Sequence, residues 1–429
     1  DPLSILKNTF KLEAGTLLKF SNKDGLKTKK YWDSVKVFNS ISEKKFKGSF
    51  KDAANEAKER LDISCKNRLT SDVPIGLFLS GGIDSSNLAY SLYRQNKSIE
   101  TFSVGFNDKK TNELKYAREI AKKFETKHNE ILIEEKECLN EINNVTSSFD
   151  EPFSDPSQIP TFLLSKFTRK KVKVAISGDG ADELFGGYPR YQKISKAWNL
   201  IKKYPRFFKK TLNNLSFKMS PSHIKFINSL GKKIKKNSHL ELKELYKDEM
   251  SRWRPDEDIY NLSDLDTRPF DGDINLVSSI TDFRSLMLRD IITYLPSNLL
   301  VKADRASMAN SLEVRNPFLD DELVKFAWSL PDSYINFDIS KAILKNILLE
   351  KFSTEFINRP KQGFEPPLGK WMRGPLKNWI TDILLYDDGF LDKKKIETLF
   401  KLFLKGENKL TYKLWTIIMF KTWKLENYS

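Results

Sequence analysis

Cysteine and histidine are scarce in this chain of 429 residues, and their scarcity excludes two common ways of stabilising a fold. The two cysteines, Cys65 and Cys138, lie far apart and are too few for a disulfide framework. The three histidines, His128, His223 and His239, lack metal-ligand spacing, so a structural zinc site is not expected. So few cysteines in a chain of this length are typical of a reducing compartment, and we expect a cytoplasmic protein.

Long apolar runs are also missing. No stretch approaches the roughly 18 apolar residues of a membrane-spanning helix. The first residues, DPLSILKNTFKLEAG, lack the basic-then-apolar order of a signal peptide. We therefore expect no membrane association, and a length of 429 residues allows two or three domains with buried cores.

The charge balance is basic, with 73 Lys and Arg against 57 Asp and Glu, a formal net charge of +16. Such a charge favours anionic partners, either nucleic acid or anionic small molecules. Because the lysines are spread through the chain beside many Asn and Ile, charge alone discriminates little. We rank anionic substrates above nucleic acid.

Short β-rich runs alternate with helical patterns in the first half of the chain. Strands are predicted at residues 73–80, 99–106, 128–135 and 172–177, with helices from Ser49 for about five turns and near residues 86–96, 114–124, 136–147 and 159–169. This alternation predicts an α/β fold with a doubly wound, mostly parallel sheet and a ligand at the carboxyl ends of its strands. Residues 193–275 are Lys-rich and strand-poor, which indicates a helical insert, and residues 279–429 have mostly helical spacing.

The first candidate site is the turn SGGIDSS, residues 80–86, between a predicted strand and a helix. Its glycines allow backbone N–H groups to approach an anion at a helix N-terminus, and its serines add hydroxyl donors. Asp84 would repel a bare phosphate, so its presence indicates a cation between the two. The turn predicts a metal-bound nucleotide; the alternative is a solvated turn without function.

The second candidate site is SGDGADELFGGY, residues 177–188, which places three acids and four glycines after another predicted strand. Mg²⁺ is usually held by one or two carboxylates together with substrate phosphates, so Asp182 with Asp84 makes an economical metal site. Neither G-x-x-x-x-G-K-[ST] nor a complete G-x-G-x-x-G occurs, which excludes the two common nucleotide motifs.

These two loops, together with EPFSDPSQIPTFLL, LPSNLLVKADRASMANSLEVRNPFLD and NRPKQGFEPPLGKWMRGPL, resemble the synthetase domain of glutamine-dependent asparagine synthetases. The resemblance extends from about residue 50 through nearly all of the chain. It implies an ATP pyrophosphatase type of α/β fold with a large helical C-terminal part.

The resemblance also implies roles for single residues. Ser80, Gly81, Gly82, Asp84 and Ser85 would hold the pyrophosphate part of ATP, and Phe78, Val104, Gly105, Ser177 and Gly178 would contact the adenosine. Asp84 and Asp182 would bind Mg²⁺. Lys361 would stabilise the phosphate in the transition state, and Asp179 and Tyr188 would help the attacking amine.

In the reaction implied by the resemblance, the side-chain carboxylate of L-aspartate attacks the α-phosphorus of ATP, and ammonia then displaces AMP. Residues 11–33 resemble only the last strand and linker of the family's glutaminase domain, and Asp1 cannot be its cysteine nucleophile. We therefore expect residues 1–45 to be a remnant of that domain with a linker, and residues 46–429 to be the ATP-binding domain. We expect this chain to use ammonia but not glutamine; the resemblance also allows a homodimer. Asp304 and Arg305 are interpreted as an ion pair near the site.

Three alternatives stay open. A related amidotransferase could act on a sugar, an antibiotic precursor or another acid, because shared ATP loops do not define the acceptor. The sequence pI of about 9.4 also admits an RNA-modifying enzyme or RNA-binding module, which we rank low because no recognised RNA-binding motif occurs. An inactive scaffold is disfavoured because the proposed catalytic acids and lysine are all present.

Overall fold

A computed structural model describes residues 2–106, 114–203, 241–253, 259, 276, 280–335, 339–359 and 366–428. Its strands are β1 Thr16–Ser21, β2 Gly25–Lys30, β3 Ile75–Phe78, β4 Glu100–Phe106, β5 Lys127–Ile133, β6 Val174–Ile176 and β7 Glu313–Arg315. The helices of the described residues before residue 253 are α1 Ser34–Ser42, α2 Phe50–Arg68, α3 Ile83–Arg94, α4 Leu114–Lys123, α5 Glu135–Ser147, α6 Gln158–Arg169, α7 Ala181–Phe185, α8 Pro189–Lys203 and α9 Leu242–Met250. The remaining helices are α10 Asp282–Ile292, α11 Leu300–Met308, α12 Asp321–Ser329, α13 Ala342–Leu348, α14 Thr354–Ile357, α15 Leu368–Arg373, α16 Lys377–Leu385, α17 Lys393–Leu404 and α18 Thr411–Tyr428.

Strands β3 to β7 form one parallel sheet in the order β5-β4-β3-β6-β7. Its two faces carry separate cores. One contains Leu77 and the buried side of α2 and α3, and the other contains Phe102 and the buried side of α5 and α6. Helices on both faces of a parallel sheet define a doubly wound α/β fold, so the predicted fold class is confirmed.

The order of the strands determines where the two glycine-rich loops lie. Strands β3 and β6 are neighbours in the sheet, with Leu77 beside Ile176 in the register. Because they are parallel, their carboxyl ends lie at the same edge. The loops that follow them, at Ser80 and Ser177, therefore start side by side.

The sequence prediction was wrong in two details of this sheet. Helix α3 begins at Ile83, with Gly82 as its N-cap, rather than at residue 86. This places Asp84 and Ser85 in the first turn of the helix. The edge strand β7 pairs with β6 inside a region predicted to be helical; its three residues are too few to show a strand periodicity.

Residues 16–30 form an antiparallel hairpin, β1–β2, instead of a strand followed by a linker. The basic stretch GLKTKK pairs along its whole length with TLLKFS. Leu17, Phe20 and Leu26 of the hairpin are more than half exposed. The hairpin is therefore not built into the main cores.

Where the structure describes the predicted insert at residues 193–275, it is helical in α8 and in α9 and not helical at residues 251–253 and 259. The rest of that prediction, apart from a few residues, lies outside the described residues. Within the described part of the chain, no helix has the length and apolar character needed to cross a bilayer.

Candidate functional site

The two glycine-rich loops touch each other at the sheet edge. A side-chain carbon built on Gly178 would lie 3.0 Å from Cβ of Asp84, so the second loop packs directly on the first turn of α3. The backbone N–H of Ser177 donates to the carbonyl of Arg315 at 2.9 Å, which fixes the start of the second loop on β7. The structure thus brings together the two motifs that sequence analysis selected.

The first loop has the form of an anion-binding turn. Gly81 has φ +82°, and a Cβ there would lie 2.9 Å from the backbone nitrogen of Ala117, so the turn needs glycine to pack on α4. The hydroxyls of Ser80 and Ser85 are 3.2 Å apart, and Ser86 Oγ donates to the Gly82 carbonyl at 2.6 Å. The first N–H groups of α3 follow this turn, and a helix N-terminus attracts negative charge.

Asp84 and Asp182 meet at a third residue, Lys341. The Nζ atom of Lys341 lies 2.5 Å from both carboxylate oxygens of Asp84 and 2.6 Å from Oδ1 of Asp182. Only 6% of the Lys341 side chain is exposed. Burial alone would lower its pKa, but the two carboxylates outweigh burial and raise the pKa well above the ordinary lysine value, so the ammonium stays charged.

Gly187 makes this cluster possible by having no side chain. A Cβ at Gly187 would lie 1.8 Å from Oδ1 of Asp182 and 2.3 Å from Cε of Lys341. Its own N–H donates to the carbonyl of Asp182 at 2.8 Å. The second glycine of the GGY turn therefore lets the chain wrap around the ion pair at van der Waals distance.

A cavity of about 360 Å³ opens between the two loops. Such a volume lies in the range of small-molecule sites. The predicted site residues that border it are Phe78, Ser80, Asp84, Ser85, Val104, Ser177, Gly178, Asp179, Asp182 and Tyr188. Gly81 and Gly82 lie in the first turn, and Gly105 follows Val104 in β4. Lys361 lies outside the described residues.

A buried lysine that sequence analysis did not select also borders the cavity. Lys302 in α11 donates to Oγ of Ser157 at 2.8 Å and to Oδ2 of Asp155 at 3.3 Å. Burial favours the neutral amine, but Asp155 and Asp179 together outweigh it, and the pKa of Lys302 is raised. Burial likewise opposes ionisation of Asp155, but Lys302 and Ser157 bring the pKa of Asp155 below its ordinary value.

Asp179 lies partly buried in the same region, and its pKa is shifted in the opposite direction to that of Asp155. Its Oδ2 accepts a hydrogen bond from Ser177 Oγ at 2.8 Å. Burial raises the pKa of Asp179 above its ordinary value, because Lys302 and the Ser177 hydroxyl only partly offset the loss of water. Asp179 is therefore a stronger base than an exposed aspartate.

Glu183 and Tyr188 form a pair on the short helix α7 and the turn after it. The Tyr188 hydroxyl donates to Oε1 of Glu183 at 2.7 Å. Glu183 is fully buried, and its Oε2 has no hydrogen-bond partner among the described residues. Burial, with the nearby charge of Asp182, raises the pKa of Glu183 to about 8.

Lys341 and Lys302 were not among the residues predicted from the sequence. Asp304 and Arg305, which share the KADRASM segment with Lys302, were predicted instead. Arg305 does pair with Asp304, at 2.5 Å, but both side chains are about half exposed. The residue of that segment that borders the cavity is Lys302, two positions before Asp304. No local pattern marks Lys341, which stands in the segment DISKAIL.

The sequence profile of the asparagine synthase family matches residues 56–425. The chain belongs to the asparagine synthase family. Asparagine synthetase [glutamine-hydrolyzing] 1 of Bacillus subtilis is 30% identical over 401 residues, which are 88% of this chain and 61% of that protein. A putative asparagine synthetase [glutamine-hydrolyzing] 2 of Methanocaldococcus jannaschii is 33% identical over 313 residues, 72% of this chain and 58% of that protein.

The chain spans about three fifths of the length of these asparagine synthetases. A solved NH3-dependent NAD synthetase from Campylobacter jejuni aligns over 45% of this chain at 15% identity, with a TM-score of 0.24, a likeness too weak to bear on the fold. Membership of the family rests on the profile match and on the sequence relatives.

The residues present suit the divalent cation that such a synthetase would use. No group of three or more His, Cys, Asp or Glu side chains in the described ranges could hold a metal. The carboxylates of Asp84 and Asp182 nevertheless converge on one cation, the Lys341 ammonium. Mg²⁺ needs only one or two carboxylates when phosphate oxygens and water complete its shell. The donor set therefore fits Mg²⁺ bound together with a nucleotide.

Proposed function

We propose that this chain is an ATP-dependent, amide-forming ligase that adenylates a carboxylic acid and transfers ammonia to it. One observation carries the proposal: two glycine-rich loops from adjacent parallel strands, an acid pair and the largely buried Lys302 border a single cavity, and Lys341 bridges the acid pair. Family membership supports the same class of reaction. The proposed acceptor is L-aspartate, which would give L-asparagine, AMP and pyrophosphate.

The nucleotide would bind across the sheet edge. We propose that Ser80, Gly81, Gly82 and Ser85 hold the pyrophosphate at the N-terminus of α3, where N–H groups and the helix dipole favour anions. Phe78, Val104, Gly105, Ser177 and Gly178 would surround the adenosine, since the side of the cavity near β3 and β4 is apolar. Mg²⁺ held by Asp84 and Asp182 would supply charge neutralisation for the triphosphate.

Lys341 is a further phosphate ligand under this proposal, in addition to the loop at the N-terminus of α3. Its ammonium occupies the point between Asp84 and Asp182 and stays charged despite burial, so it would have to move off these carboxylates when Mg²⁺ binds to them. The displaced ammonium would then stabilise negative charge on a leaving pyrophosphate without proton transfer.

The acid must be activated before an amine can attack it. A carboxylate is a poor electrophile, and a mixed anhydride with AMP supplies a good leaving group. Lys361 remains our proposed residue for the charge on the α-phosphate. In the described chain before it, the guanidinium of Arg359 donates to the carbonyl of Gly81.

The second half of the reaction needs a group that accepts a proton from ammonia. We propose Asp179 for this role, because burial raises its pKa and so makes it a better base at neutral pH. Tyr188 would act by orienting Glu183 through its hydroxyl rather than by ionising, since burial and Glu183 raise the pKa of Tyr188 well above the ordinary tyrosine value.

The domain division is also a proposal. We propose that residues 46–429 are the ATP-binding domain and that residues 1–45 are a remnant of a glutaminase domain with a linker. We also propose a cytoplasmic location and allow a homodimer.

The test is a product assay on the purified chain with Mg-ATP, ammonium and a panel of acids. We expect AMP, pyrophosphate and the amide to form in equal amounts, with L-aspartate as the best acceptor and no glutaminase activity. The Lys361→Ala variant should retain ATP binding and lose AMP formation. Formation of ADP and inorganic phosphate would contradict the proposed bond cleavage.

A further inference from the structure

The peptide unit between Gly81 and Gly82 is held by a charged side chain. Its carbonyl oxygen, on Gly81, accepts a hydrogen bond from the guanidinium of Arg359. Its N–H, on Gly82, donates to Oγ of Ser80 at 3.2 Å, and Ser80 borders the cavity. Nearly all peptide units are trans, with the C=O and the N–H pointing in opposite directions. The contact with Arg359 therefore fixes the direction of the Gly82 N–H on the side of Ser80.

The guanidinium of Arg359 is itself fixed in place between two rings. Its central carbon lies 4.2 Å from the ring centre of Tyr116 and 4.0 Å from that of Phe356, and contacts of this kind are favourable. The guanidinium also donates to the Phe356 carbonyl. Tyr116 touches the turn as well, because a Cβ on Gly81 would lie 2.9 Å from Cβ of Tyr116. The two rings thus hold the cation beside the turn.

The Phe356 ring is backed by the main core. It stacks on Phe352 with ring centres 4.5 Å apart, and Phe352 meets the ring of Phe124 edge-on at 5.6 Å. Phe124 is buried in the core beneath α3. The cation therefore stands on packed side chains, as a group that sets the geometry of a site should.

A cation at this carbonyl also changes the N–H on the other side of the peptide unit. A charged donor binds a carbonyl more strongly than a neutral donor does. Hydrogen bonds in a chain polarise one another, so the guanidinium on the Gly81 carbonyl makes the Gly82 N–H a better donor. The present acceptor of that N–H, Oγ of Ser80, is at the long end of the usual distance range, so an anion can take its place.

We propose that Arg359 positions the first glycine-rich loop for ATP: by holding the Gly81 carbonyl, it directs the Gly82 N–H toward the pyrophosphate part of the nucleotide. Arg359 is a positioning residue, because it acts through the peptide unit and does not itself bind the phosphates. This role rests on the proposed ligase function and adds a residue to it. Its effect is selective: binding of the two outer phosphates depends on Arg359, and binding of adenosine with the first phosphate does not.

The test compares α,β-methylene-ATP, which has three phosphates, with AMP, which lacks the outer two. Titration calorimetry with Mg²⁺ present measures both affinities for the wild-type chain, Arg359→Met, Arg359→Lys and Arg373→Met. Arg359→Met should weaken binding of the ATP analogue at least about tenfold and that of AMP about twofold or less, as expected for a hydrogen bond to a charged group. Arg359→Lys should recover part of the loss, because lysine keeps the charge and lacks the planar fork.

Arg373→Met is the matched control. Arg373 also donates to backbone carbonyls, those of Phe403 at 3.0 Å and Gly369 at 3.2 Å, and its guanidinium lies 3.9 Å from the centre of the Phe403 ring. It belongs to α15 and borders a different cleft. This variant should bind both nucleotides as the wild-type chain does; the same selective loss in Arg373→Met would overturn the role of Arg359.

Two results with Arg359→Met also overturn that role. One is an unchanged affinity for the ATP analogue. The other is an equal loss of both nucleotides, which would show that Arg359 only maintains the structure of the site. If Arg359→Met does not fold, Arg359→Lys decides: a loss of about threefold or more confined to the analogue supports the role, and any other result overturns it.

The product assay separates the role of Arg359 from the function on which it rests. If Arg359→Met forms AMP and the amide with the wild-type KM for ATP, the ligase function stands and the role of Arg359 is wrong. If the wild-type chain binds neither nucleotide, the proposed function is wrong, and the role falls with it.

Discussion

Asp182 and Glu183 are neighbours in sequence on the same short helix, yet their carboxyl groups are in opposite electrostatic situations. Asp182 shares the ammonium of Lys341 with Asp84. Glu183 accepts the hydroxyl of Tyr188 and has no ion pair among the described residues, and its pKa is raised to about 8. Both side chains border the same cavity. They differ in that a cation lies beside Asp182 and a hydroxyl beside Glu183.

Because of this difference, two groups of side chains in one cavity suit different functions. The cluster of Asp84, Asp182 and Lys341 is charged and fully paired, as suits a site for a metal and a polyphosphate. The Glu183–Tyr188 pair is largely neutral at pH 7, which does not suit a metal site. The comparison can be tested by removing each partner in turn.

Removing the shared cation should have the largest effect. We expect Lys341→Met to lower the free energy of unfolding by about 3 to 5 kcal/mol in magnesium-free buffer, because two largely buried carboxylates lose their buried counter-ion. Added Mg²⁺ should restore part of this loss. Urea unfolding with and without Mg²⁺ measures both effects.

Lys325→Met is the matched control for that loss. Lys325 also bridges two acids, Asp321 and Glu322, at 3.1 and 2.7 Å, but on an exposed helix surface. It should cost about 0.5 kcal/mol or less. Equal losses in the two variants would show that burial of the Lys341 cluster has no energetic importance.

The raised pKa of Glu183 predicts an unusual dependence of the free energy of unfolding on pH. The pKa of Glu183 is about 8 in the folded chain, against an ordinary value of 4.5, so between these values the folded chain keeps a proton that the unfolded chain has lost. The free energy of unfolding should fall as pH rises through this window, by about 2 to 4 kcal/mol between pH 5 and 8, and level off above it. Urea unfolding at pH 5, 6.5 and 8 measures the slope.

Glu183→Gln should remove this contribution to the slope, because glutamine does not titrate in the window. Glu350→Gln is the control: burial opposes ionisation of Glu350, but Lys58 and Tyr90 outweigh it and lower its pKa, so Glu350 is ionised in both states from pH 5 to 8. That control should therefore keep the wild-type slope. An unchanged slope in Glu183→Gln would mean that Glu183 is ionised in the folded chain.

A smaller effect is expected from adding one carbon atom beside the ion pair of Asp182 and Lys341. Gly187→Ala places its Cβ 1.8 Å from Asp182 and 2.3 Å from Lys341, so the ion pair must open. We expect a loss of about 1 to 3 kcal/mol in stability and a marked loss of ATP affinity, measured by unfolding and by nucleotide titration. Gly369→Ala, whose nearest side-chain neighbour is the movable Thr411 hydroxyl at 3.1 Å, should keep both properties.

Local sequence patterns could predict the two glycine-rich loops of this site, because each loop is a single short segment. SGGIDSS and SGDGADELFGGY carry their signal within a few residues, because glycine, serine and aspartate after a buried strand have few other uses. Parallel pairing of β3 and β6 then places the two loops together. The sheet and both loops could therefore be predicted from the sequence, apart from the three-residue strand β7.

The lysines could not be predicted in the same way. Lys341 is one of 73 basic residues and lies 257 positions from Asp84, so only the folded chain shows the contact. Lys302 lies in a segment that was selected, but a local pattern does not tell which of its charged side chains points inward. The role proposed for Lys341 and the position of Lys302 beside the cavity depend on burial and pairing, and these are properties of the tertiary structure.

The smallest effect is expected at the ion pair of Asp304 and Arg305, which sequence analysis connected with the site. Both side chains are about half exposed, and Arg305 has a second partner in Asp150 at 2.7 Å. Asp304→Asn should therefore change the free energy of unfolding by about 0.5 kcal/mol or less and leave the affinities for ATP and aspartate as they are.

Lys302→Met, two positions away in α11, should weaken acceptor or nucleotide binding, because its ammonium borders the cavity and is buried against Asp155. Unfolding and binding titrations on Asp304→Asn and Lys302→Met test whether the buried charged side chain of α11 affects ligand binding more than the exposed one. A loss of binding in Asp304→Asn would show that the exposed ion pair acts on the site.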